Sequence, residues 1–378
     1  MKKIVTVISI HSCPGEKIGI GKTGGLAVYV KNLINFLIIN HYKINLITKN
    51  HICCDLNYSD KVNILHIDSL INPGSEIQEI ANSTDILISN YWTSGIFSKT
   101  FFSKKNILKI NISHTLEYLK KIQIPEYKID IKRIKEEKLL KNYFDYTVYF
   151  SKEEKDTLIN YYKYTESQLI FSTPGYDEKI FYPLSKSDSR KRLKINSSEK
   201  TLLFVGRLDY LKGLDIAIET IKIAIKHNKI YKLFIAGGDF GSTQQQKINL
   251  TLANNNISQH VVWLGSLSQK ELNLNYNSAD IVLVTSRSET FGLVCLEAIA
   301  TKTPVIASDV GRMGDMIVNN DSGVLISDIQ PKSFYDQIDK YFSKKNSFKF
   351  KNESLDMIKN FTWENVFNEL FSKVKVFD

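Results

Sequence analysis

Two nearby glutamates in the second half of the chain stand where a sugar and a phosphate could both be held. Residues 280–285 have the composition of a buried strand, and a helix is predicted to begin at Leu293. Glu289 precedes that helix and Glu297 lies one turn into it. The free N–H groups of a helix N-terminus attract an anion, and carboxylates accept hydrogen bonds from hydroxyl groups. Gly292 lets the backbone come close to a ligand.

A pair of cationic residues follows another predicted strand, residues 201–205. Arg207 and Lys212 lie in the turn and helix start that come after it, beside Gly206. A planar guanidinium and an ammonium at the end of a strand can together hold a diphosphate. The sequence contains no Asp-x-Asp triplet, which would be the obvious pair of carboxylates for a divalent metal. We therefore expect these two cations to neutralise the diphosphate, with neither a metal nor a cofactor.

A glycine-rich segment precedes the first long helical pattern, residues 26–39. Residues 21–25 include the pair Gly24 and Gly25, which leaves backbone N–H groups free to face a phosphate. The segment has neither the GxGxxG nor the P-loop spacing, so by itself it is a weak signal.

Strand and helix patterns alternate along the whole chain, which predicts an α/β fold with parallel sheets. We expect two Rossmann-like domains facing each other across a cleft, with ligands at the carboxyl ends of the strands. The predicted strands are 4–10, 44–48, 62–67, 85–89, 107–113, 147–151 and 168–172, then 201–205, 232–236, 260–264, 280–285, 304–307 and 323–326.

The predicted domains are residues 1–180, residues 199–360, and a C-terminal segment, 361–378, whose amphipathic helix packs back on the first domain. The polar stretch 185–200 is predicted to be a linker, since it has little apolar pattern. A chain of 378 residues is long enough for two separate cores.

Composition argues for a cytoplasmic protein that does not bind nucleic acid. The net charge is +10, but lysine is spread over the whole chain rather than clustered. The four cysteines show neither a disulfide framework nor metal-ligand spacing. No apolar run reaches the roughly 20 residues that span a bilayer, and the N-terminus is better explained by a strand than by a signal peptide. Peripheral membrane contact and the choice between monomer and homodimer stay open.

Residues 288–298 followed by 304–308 resemble the glutamate signature of the family-4 retaining glycosyltransferases, which have the GT-B fold. Residues 204–213 match the Gly-Arg-(x4)-Lys-Gly segment of the same family, and residues 235–238 and 262–267 match two further segments. The resemblance extends over about residues 1–375. It implies transfer of a hexose or N-acetylhexosamine from a nucleotide diphosphate-sugar, with a UDP-sugar as the expected donor and with the anomeric configuration retained.

The resemblance also assigns roles in the second domain. Glu289 would contact the donor sugar, and Glu297 the ribose hydroxyls. Arg207 and Lys212 would stabilise the leaving diphosphate. The remaining donor contacts would be made through the backbone of Gly206, Leu267, Phe291, Gly292 and Leu293, and of Gly24 and Gly25 in the first domain.

Three first-domain segments are similar to a branch that holds the inositol-phosphate N-acetylglucosaminyltransferase of mycothiol synthesis and the sucrose-phosphate synthases. They are residues 11–15 with 24–30, residues 89–95, and residues 113–116. By this resemblance Tyr91, Thr115 and, in a looser match, Arg133 would bind a small acceptor. His114 follows a strand, and we expect it beside the reacting sugar carbon.

The sequence departs from the family pattern at several positions, so alternatives remain. Lys302 replaces a glycine, and residues 311–315 alter a Gly-Gly-x-x-Glu segment. In the mycothiol-pathway enzyme a lysine also joins the acceptor-phosphate site, and this lysine has no match around residues 72–78 here. A neutral or amino cyclitol acceptor, as in the aminocyclitol glycosyltransferases of antibiotic pathways, therefore competes with a phosphorylated one. A nucleotide-sugar epimerase and an inactive nucleotide-sugar binder are the rivals from other classes.

Overall fold

The structure, a computed structural model, describes residues 3–15, 24–49, 61–103, 106–318, 321–343, 348 and 350–374. These residues form two compact units. Unit 1 comprises the described residues up to Pro174 together with those from Trp363 onward, and unit 2 comprises Gly175–Thr362. The two parallel α/β units expected from the sequence are thus confirmed.

Unit 1 alternates strands and helices along the chain. Its elements up to Pro174 are β1 (Ile4–Ser9), α1 (Gly25–Ile39), β2 (Lys43–Lys49), β3 (Val62–Ile67), α2 (Glu76–Ser83), β4 (Ile86–Asn90), α3 (Tyr91–Phe101), β5 (Leu108–Ile112), α4 (Glu117–Gln123), α5 (Ile131–Leu140), β6 (Tyr146–Tyr149), α6 (Lys152–Asn160) and β7 (Leu169–Phe171). Within the described part, the strands are parallel and ordered β3-β2-β1-β4-β5-β6-β7. All five residues of β4 are buried, as expected for a strand that helices cover on both faces.

Unit 2 repeats the scheme. Its elements are α7 (Lys186–Leu193), β8 (Thr201–Val205), α8 (Leu214–Lys226), β9 (Lys232–Ala236), α9 (Thr243–Asn254), β10 (Val261–Gly265), α10 (Gln269–Ser278), β11 (Ile281–Val284), α11 (Leu293–Ala300), β12 (Val305–Ser308), α12 (Met313–Met316), β13 (Gly323–Ile326), α13 (Pro331–Ser343) and α14 (Asn352–Lys359). Among the described residues the parallel strand order is β10-β9-β8-β11-β12-β13.

In each sheet the sequence order of the strands reverses at one point. This point lies between β1 and β4 in unit 1 and between β8 and β11 in unit 2. In open parallel sheets the loops that leave the carboxyl ends of such neighbouring strands diverge and leave room for a ligand. The residues after β4 and those after β8 and β11 are therefore the first places to look for chemistry.

The final helix, α15 (Trp363–Lys373), belongs to unit 1, where it packs on α1. The ring of Tyr29 meets those of Trp363 and Phe367 edge-on, with centroids 5.5 and 5.3 Å away. Phe36 stacks on Phe371 at 5.5 Å. These buried aromatic contacts attach the end of the chain to the first helix of the unit.

The structure corrects the prediction that residues 185–200 are a linker. Residues Lys186–Leu193 form α7, with Ser185 as the N-cap that accepts from the Asp188 N–H. Arg190 is buried, and its guanidinium donates to the carbonyl of Ser278 at 2.9 Å and to the carboxylate of Asp280 at 2.9 Å. The sequence pattern missed this because the segment is attached by one buried charge rather than by an apolar face.

Lys302, where the family pattern has a glycine, adopts the backbone conformation that a glycine would have in the turn after α11. Lys302 has φ +58° directly after α11, and the N–H of Thr303 returns to the carbonyl of Ala298 at 2.9 Å. This is the left-handed helix ending that glycine usually provides. A lysine therefore carries the steric cost of that conformation here.

Candidate active site

Lys212 and Glu289 meet in unit 2, after the two neighbouring strands β8 and β11. The Nζ of Lys212 lies 2.5 Å from Oε2 of Glu289, and both side chains are mostly buried, 23% and 19% exposed. The sequence placed both residues in the donor site, and the structure brings them into direct contact. At one sheet edge, the cation can bind a diphosphate and the carboxylate can accept a hydrogen bond from a hydroxyl group.

The loop that carries Lys212 is fixed by hydrogen bonds and by one obligatory glycine. The Asp209 carboxylate accepts from the backbone N–H of Lys212 at 3.1 Å. Gly213 follows with φ +68°, and a Cβ there would stand 1.9 Å from the carbonyl oxygen of Thr285, the residue after β11. Only glycine permits this approach, so the ends of β8 and β11 are held together by backbone packing.

Arg207 is more exposed than Lys212 and pairs with a different carboxylate. Its guanidinium lies 2.9 Å from Asp209, with the two side chains 35% and 29% exposed. Gly206 lies beside Lys212, since a Cβ built there would be 3.5 Å from Cγ of Lys212. The two cations predicted to hold the diphosphate thus share one loop. Asp209 connects them, because its carboxylate contacts the guanidinium of Arg207 and the backbone N–H of Lys212.

Gly292 directly precedes α11, at the start of the helix that the sequence predicts. It has φ +104° and serves as the N-cap of a helix that starts at Leu293. Phe291 before it is buried. Gly311 packs on the same loop, because a Cβ there would be 2.5 Å from the carbonyl of Glu289. The altered segment 311–315 therefore keeps the glycine that its contact with the glutamate loop requires.

Glu297 is buried in unit 2 and bonded to a residue that sequence reasoning missed. The hydroxyl of Tyr276, itself fully buried, donates to Oε2 of Glu297 at 2.8 Å. Burial raises the pKa of Glu297 to about 7, although the hydrogen bond from Tyr276 favours the ionised form. Because this pKa lies near neutrality, a ligand hydroxyl that donates to the carboxylate can change the protonation state of Glu297.

The strands β9 and β10 end side by side, and β10 ends just before Leu267 in the chain. The N–H of Gly237 donates to the carbonyl of Gly265 at 2.7 Å, and the Ser266 hydroxyl to the carbonyl of Gly238 at 3.1 Å. Leu267 is half-buried and packs against the core that includes Phe291. These contacts fix the backbone beside Leu267, which the resemblance names among the donor contacts.

In unit 1, His114 lies at the end of β5 in an unusual turn. It has φ +58°, and its Nε2 lies 3.0 Å from Oδ1 of Asn90 at the end of β4. The rings of Tyr29 and Phe150 surround it at 5.1 and 5.7 Å. Burial, with a smaller contribution from His11, lowers the pKa of His114 to about 3. The imidazole is therefore neutral at physiological pH and can act as a hydrogen-bonding group rather than as a cation.

The three predicted acceptor residues converge within unit 1. The guanidinium of Arg133 lies over the ring of Tyr91 at 4.8 Å and donates to the carbonyl of Thr115 at 2.8 Å. Tyr91 is buried and has φ +76°, which is rare for an aromatic residue. The loose sequence match at Arg133 thus falls on a residue that contacts both of its predicted partners.

The charge of Arg133 is nevertheless balanced by two buried carboxylates. Its Nε lies 2.7 Å from Glu137 and its Nη1 3.1 Å from Glu117. The hydroxyl of Tyr162 also donates to Glu137. Sequence reasoning missed both glutamates. Glu137 follows Arg133 by four residues on one helix, a spacing that normally indicates a solvated surface pair, and Glu117 lies on a different helix.

Of the predicted phosphate-binding segment in unit 1, residues 21–23 lie outside the described part of the chain. Gly24 precedes α1 with φ −158°, and its carbonyl accepts from the N–H of Ala27 at 3.0 Å. A Cβ at Gly24 would meet nothing within 4 Å. Gly24 and Gly25 therefore open the helix with exposed backbone, as expected, while their role stays a prediction.

Comparison with known proteins shows which families and structures the chain resembles. Residues 185–360 match the family model described as glycosyl transferases group 1. The D-inositol 3-phosphate glycosyltransferase of Segniliparus rotundus is 25% identical over 359 residues, covering 88% of this chain and 80% of the relative. The protein of that name from Corynebacterium urealyticum is 27% identical over 370 residues, covering 90% and 87%.

Solved structures share the fold. Sucrose-phosphate synthase from Thermosynechococcus elongatus superposes with a TM-score of 0.86 at 22% identity over all of both chains. HepE from Anabaena, determined in complex with UDP and glucose, gives 0.80 at 14% identity over 99% of both chains. These are GT-B glycosyltransferases. The present chain therefore has the GT-B fold, and its residues 185–360 match the group 1 glycosyltransferase model.

A search of the described residues for membrane-spanning helices found none that is both long and apolar enough.

Proposed function

We propose that the protein is a retaining glycosyltransferase that moves a hexose or N-acetylhexosamine from a nucleotide diphosphate-sugar, UDP-linked, to a small polyhydroxylated acceptor. The observation that carries the proposal is the contact between Lys212 and Glu289 at the carboxyl ends of β8 and β11, inside the group 1 domain. A structural neighbour whose complex holds UDP and glucose supports the choice of donor.

Unit 2 would bind the donor. The ammonium of Lys212 and the guanidinium of Arg207 face the diphosphate, while Glu289 accepts hydrogen bonds from the sugar hydroxyls. The buried carboxyl of Glu297 takes the ribose hydroxyls. Each of these groups already has a protein partner, so donor binding exchanges one set of polar contacts for another rather than uncovering bare charges.

The reaction breaks the bond between the anomeric carbon and the diphosphate oxygen and forms a bond from that carbon to an acceptor oxygen. The acceptor's hydroxyl proton passes to the departing diphosphate on the same face of the sugar, so the configuration is retained. Lys212 and Arg207 stabilise the negative charge that grows on the diphosphate, which removes the need for a metal. The neutral imidazole of His114 would orient the sugar by hydrogen bonding.

Unit 1 would bind the acceptor at Tyr91 and Thr115. Arg133 already balances two carboxylates, so its charge is less available to a phosphate than the sequence suggested. This favours a neutral or amino cyclitol, or an unphosphorylated sugar. The names of the curated relatives favour a phosphorylated cyclitol instead. We therefore keep both acceptor classes within the proposal.

A matrix of nucleotide sugars against acceptors, read by mass spectrometry, tests the proposal. UDP-glucose and UDP-N-acetylglucosamine are each incubated with inositol, inositol phosphate, an aminocyclitol and hexose phosphates. A new mass equal to acceptor plus sugar, absent with the E289A variant, supports transfer. Isomerised donor with no acceptor product would identify an epimerase, and tight nucleotide-sugar binding with no product would identify an inactive binder.

A further inference from the structure

The backbone at His114 is held in a conformation that a histidine does not adopt by itself. The N–H of Thr115 donates to the carbonyl of Ser113 at 2.7 Å, which closes a three-residue turn around His114. With φ +58° at its centre, this is the strained form of the turn. Such conformations are strained and persist only where neighbouring groups enforce them.

On one side of the turn, Ser113 is held by a buried glutamate. Its hydroxyl donates to Oε1 of Glu154, and the backbone N–H of Phe150 donates to Oε2 of the same carboxylate at 2.7 Å. Glu154 has no solvent exposure. The carboxylate thus connects the end of β5 to the end of β6.

On the other side, the carbonyl of Thr115 accepts from Nη2 of Arg133 at 2.8 Å. Arg133 is fixed in turn by Glu117 and Glu137. The turn is therefore fastened by a buried charged group on each side, and the imidazole between them is left with little freedom.

The contacts of Glu154 differ from those of an ordinary helix cap. Glu154 is the third residue of α6, after the N-cap Ser151, whose hydroxyl accepts from the Glu154 N–H at 3.1 Å. In a capping box the glutamate would turn back to the N–H of the N-cap residue itself. Here the carboxylate reaches Phe150 and Ser113 instead, and burial raises its pKa to about 7. A cap alone would leave this side chain in solvent at no such cost.

We propose that Glu154, acting through Ser113, is a positioning residue that sets the place of the His114 imidazole. The importance of that place rests on the proposed function, in which His114 lies beside the reacting sugar. Arg133 has the matching role on the far side, but it also contacts the acceptor residues, so Glu154 is the cleaner subject for a test.

Three variants separate the role of Glu154 from bulk stability. E154A removes both acceptors. E154Q can rescue, because its amide nitrogen can donate to the Ser113 oxygen while its carbonyl accepts from Phe150. E153A changes the exposed neighbour in the same turn and serves as the matched control. Since E154A loses two buried hydrogen bonds, S113A serves as a milder substitution that should displace the His114 imidazole in the same way. Thermal unfolding checks that each variant is folded.

The expected result is that E154A and S113A lower kcat by about tenfold or more with donor KM little changed, because small displacements of a positioned group are costly. E154Q and E153A should stay within about threefold of the parent enzyme. The double variant S113A/E154A should lose little beyond E154A alone, since both substitutions break one connection. Losses that add independently, equal effects of E154A and E153A, or an E154Q variant as impaired as E154A would overturn the proposal.

A readout without turnover distinguishes this proposal from the proposed function. In NMR titrations of histidine, the pKa of His114 should rise from about 3 towards its ordinary value in E154A and S113A, but not in E154Q. An unmoved titration in both would overturn the positioning role even if kcat fell. If the titration moves while H114A remains fully active, the positioning stands and the role of His114 in transfer fails.

Discussion

Lys212 and Glu289, from the loops after β8 and β11, form a partly buried ion pair with Nζ and Oε2 2.5 Å apart. Before the donor arrives, each neutralises the other in a place where water is scarce. In the proposed donor complex, a diphosphate would compete for the ammonium and a sugar hydroxyl for the carboxylate. Because the ammonium and the carboxylate are in contact, they could bind adjacent parts of one molecule, the diphosphate and the sugar of the donor.

Replacing Lys212 or Arg207 by alanine should lower kcat by roughly 100-fold, because the charge that they stabilise grows as the diphosphate departs. Steady-state kinetics with saturating donor would measure this effect. K226A, which changes a lysine at the end of α8, serves as the control and should leave kcat unchanged. A variant of Lys212 or Arg207 that raised only KM would show a residue that binds ground state and transition state equally.

Binding of UDP-glucose, whose diphosphate is a diester with no proton to lose near pH 7, should release a proton from the protein at that pH. The free protein holds Glu297 with a pKa raised to about 7, so a large share of the population is protonated there. Ribose hydroxyls that donate to the ionised carboxylate would lower this pKa on binding. Calorimetry in two buffers of different ionisation enthalpy measures the proton directly, and E297Q should abolish the buffer dependence. Proton uptake, or a release that persists in E297Q, would contradict the role of Glu297.

R133K should raise the acceptor KM about tenfold and leave slow hydrolysis of the donor unchanged, because lysine keeps the charge but lacks the planar fork that reaches Thr115, Glu117 and Glu137. The exposed neighbour provides the control variant K132A. Since the arginine charge is already balanced, we expect similar factors for phosphorylated and neutral acceptors. A much larger rise for the phosphorylated acceptor alone would show that Arg133 contacts phosphate directly. Equal loss of both activities would place it in the fold or donor site.

K302G should stabilise the protein by about 1 kcal/mol, because glycine adopts the left-handed conformation without the steric cost that lysine carries. Urea denaturation followed by circular dichroism measures the free energy of unfolding. K247G, in the exposed interior of α9, is the opposite control and should destabilise by a similar amount. A destabilised K302G would mean that the lysine side chain makes a contact worth more than the backbone strain.

Much of the fold was predictable, because helices cover both faces of each sheet and the strands read as continuous apolar runs. Residues Val62–Ile67 and Thr201–Val205 have the predicted bounds, and α11 begins at Leu293 as expected. The group 1 match was predictable from residues 288–298, since that segment carries the chemistry and its spacing together.

Other features were hidden because they depend on contacts between distant residues. Arg190 lies in a polar stretch that has no apolar periodicity, yet its guanidinium attaches α7 to the end of α10. Glu137 and Glu154 look like ordinary helix-surface acids until the fold brings Arg133 and Ser113 against them. The meeting of Lys212 with Glu289 likewise required the sheet order, which places β8 beside β11.

The most direct test of the account is the anomeric configuration of the product formed in the presence of excess EDTA. UDP-α-glucose and UDP-α-N-acetylglucosamine are each incubated with the acceptor that the mass-spectrometric matrix identifies, and proton NMR follows the new anomeric signal during turnover. We predict an α-linked product, recognised by its small anomeric coupling constant, that accumulates at the same rate in excess EDTA as in a parallel reaction with magnesium and no EDTA. A β-linked product, or one that appears only when a divalent metal is supplied, would contradict metal-independent retaining transfer.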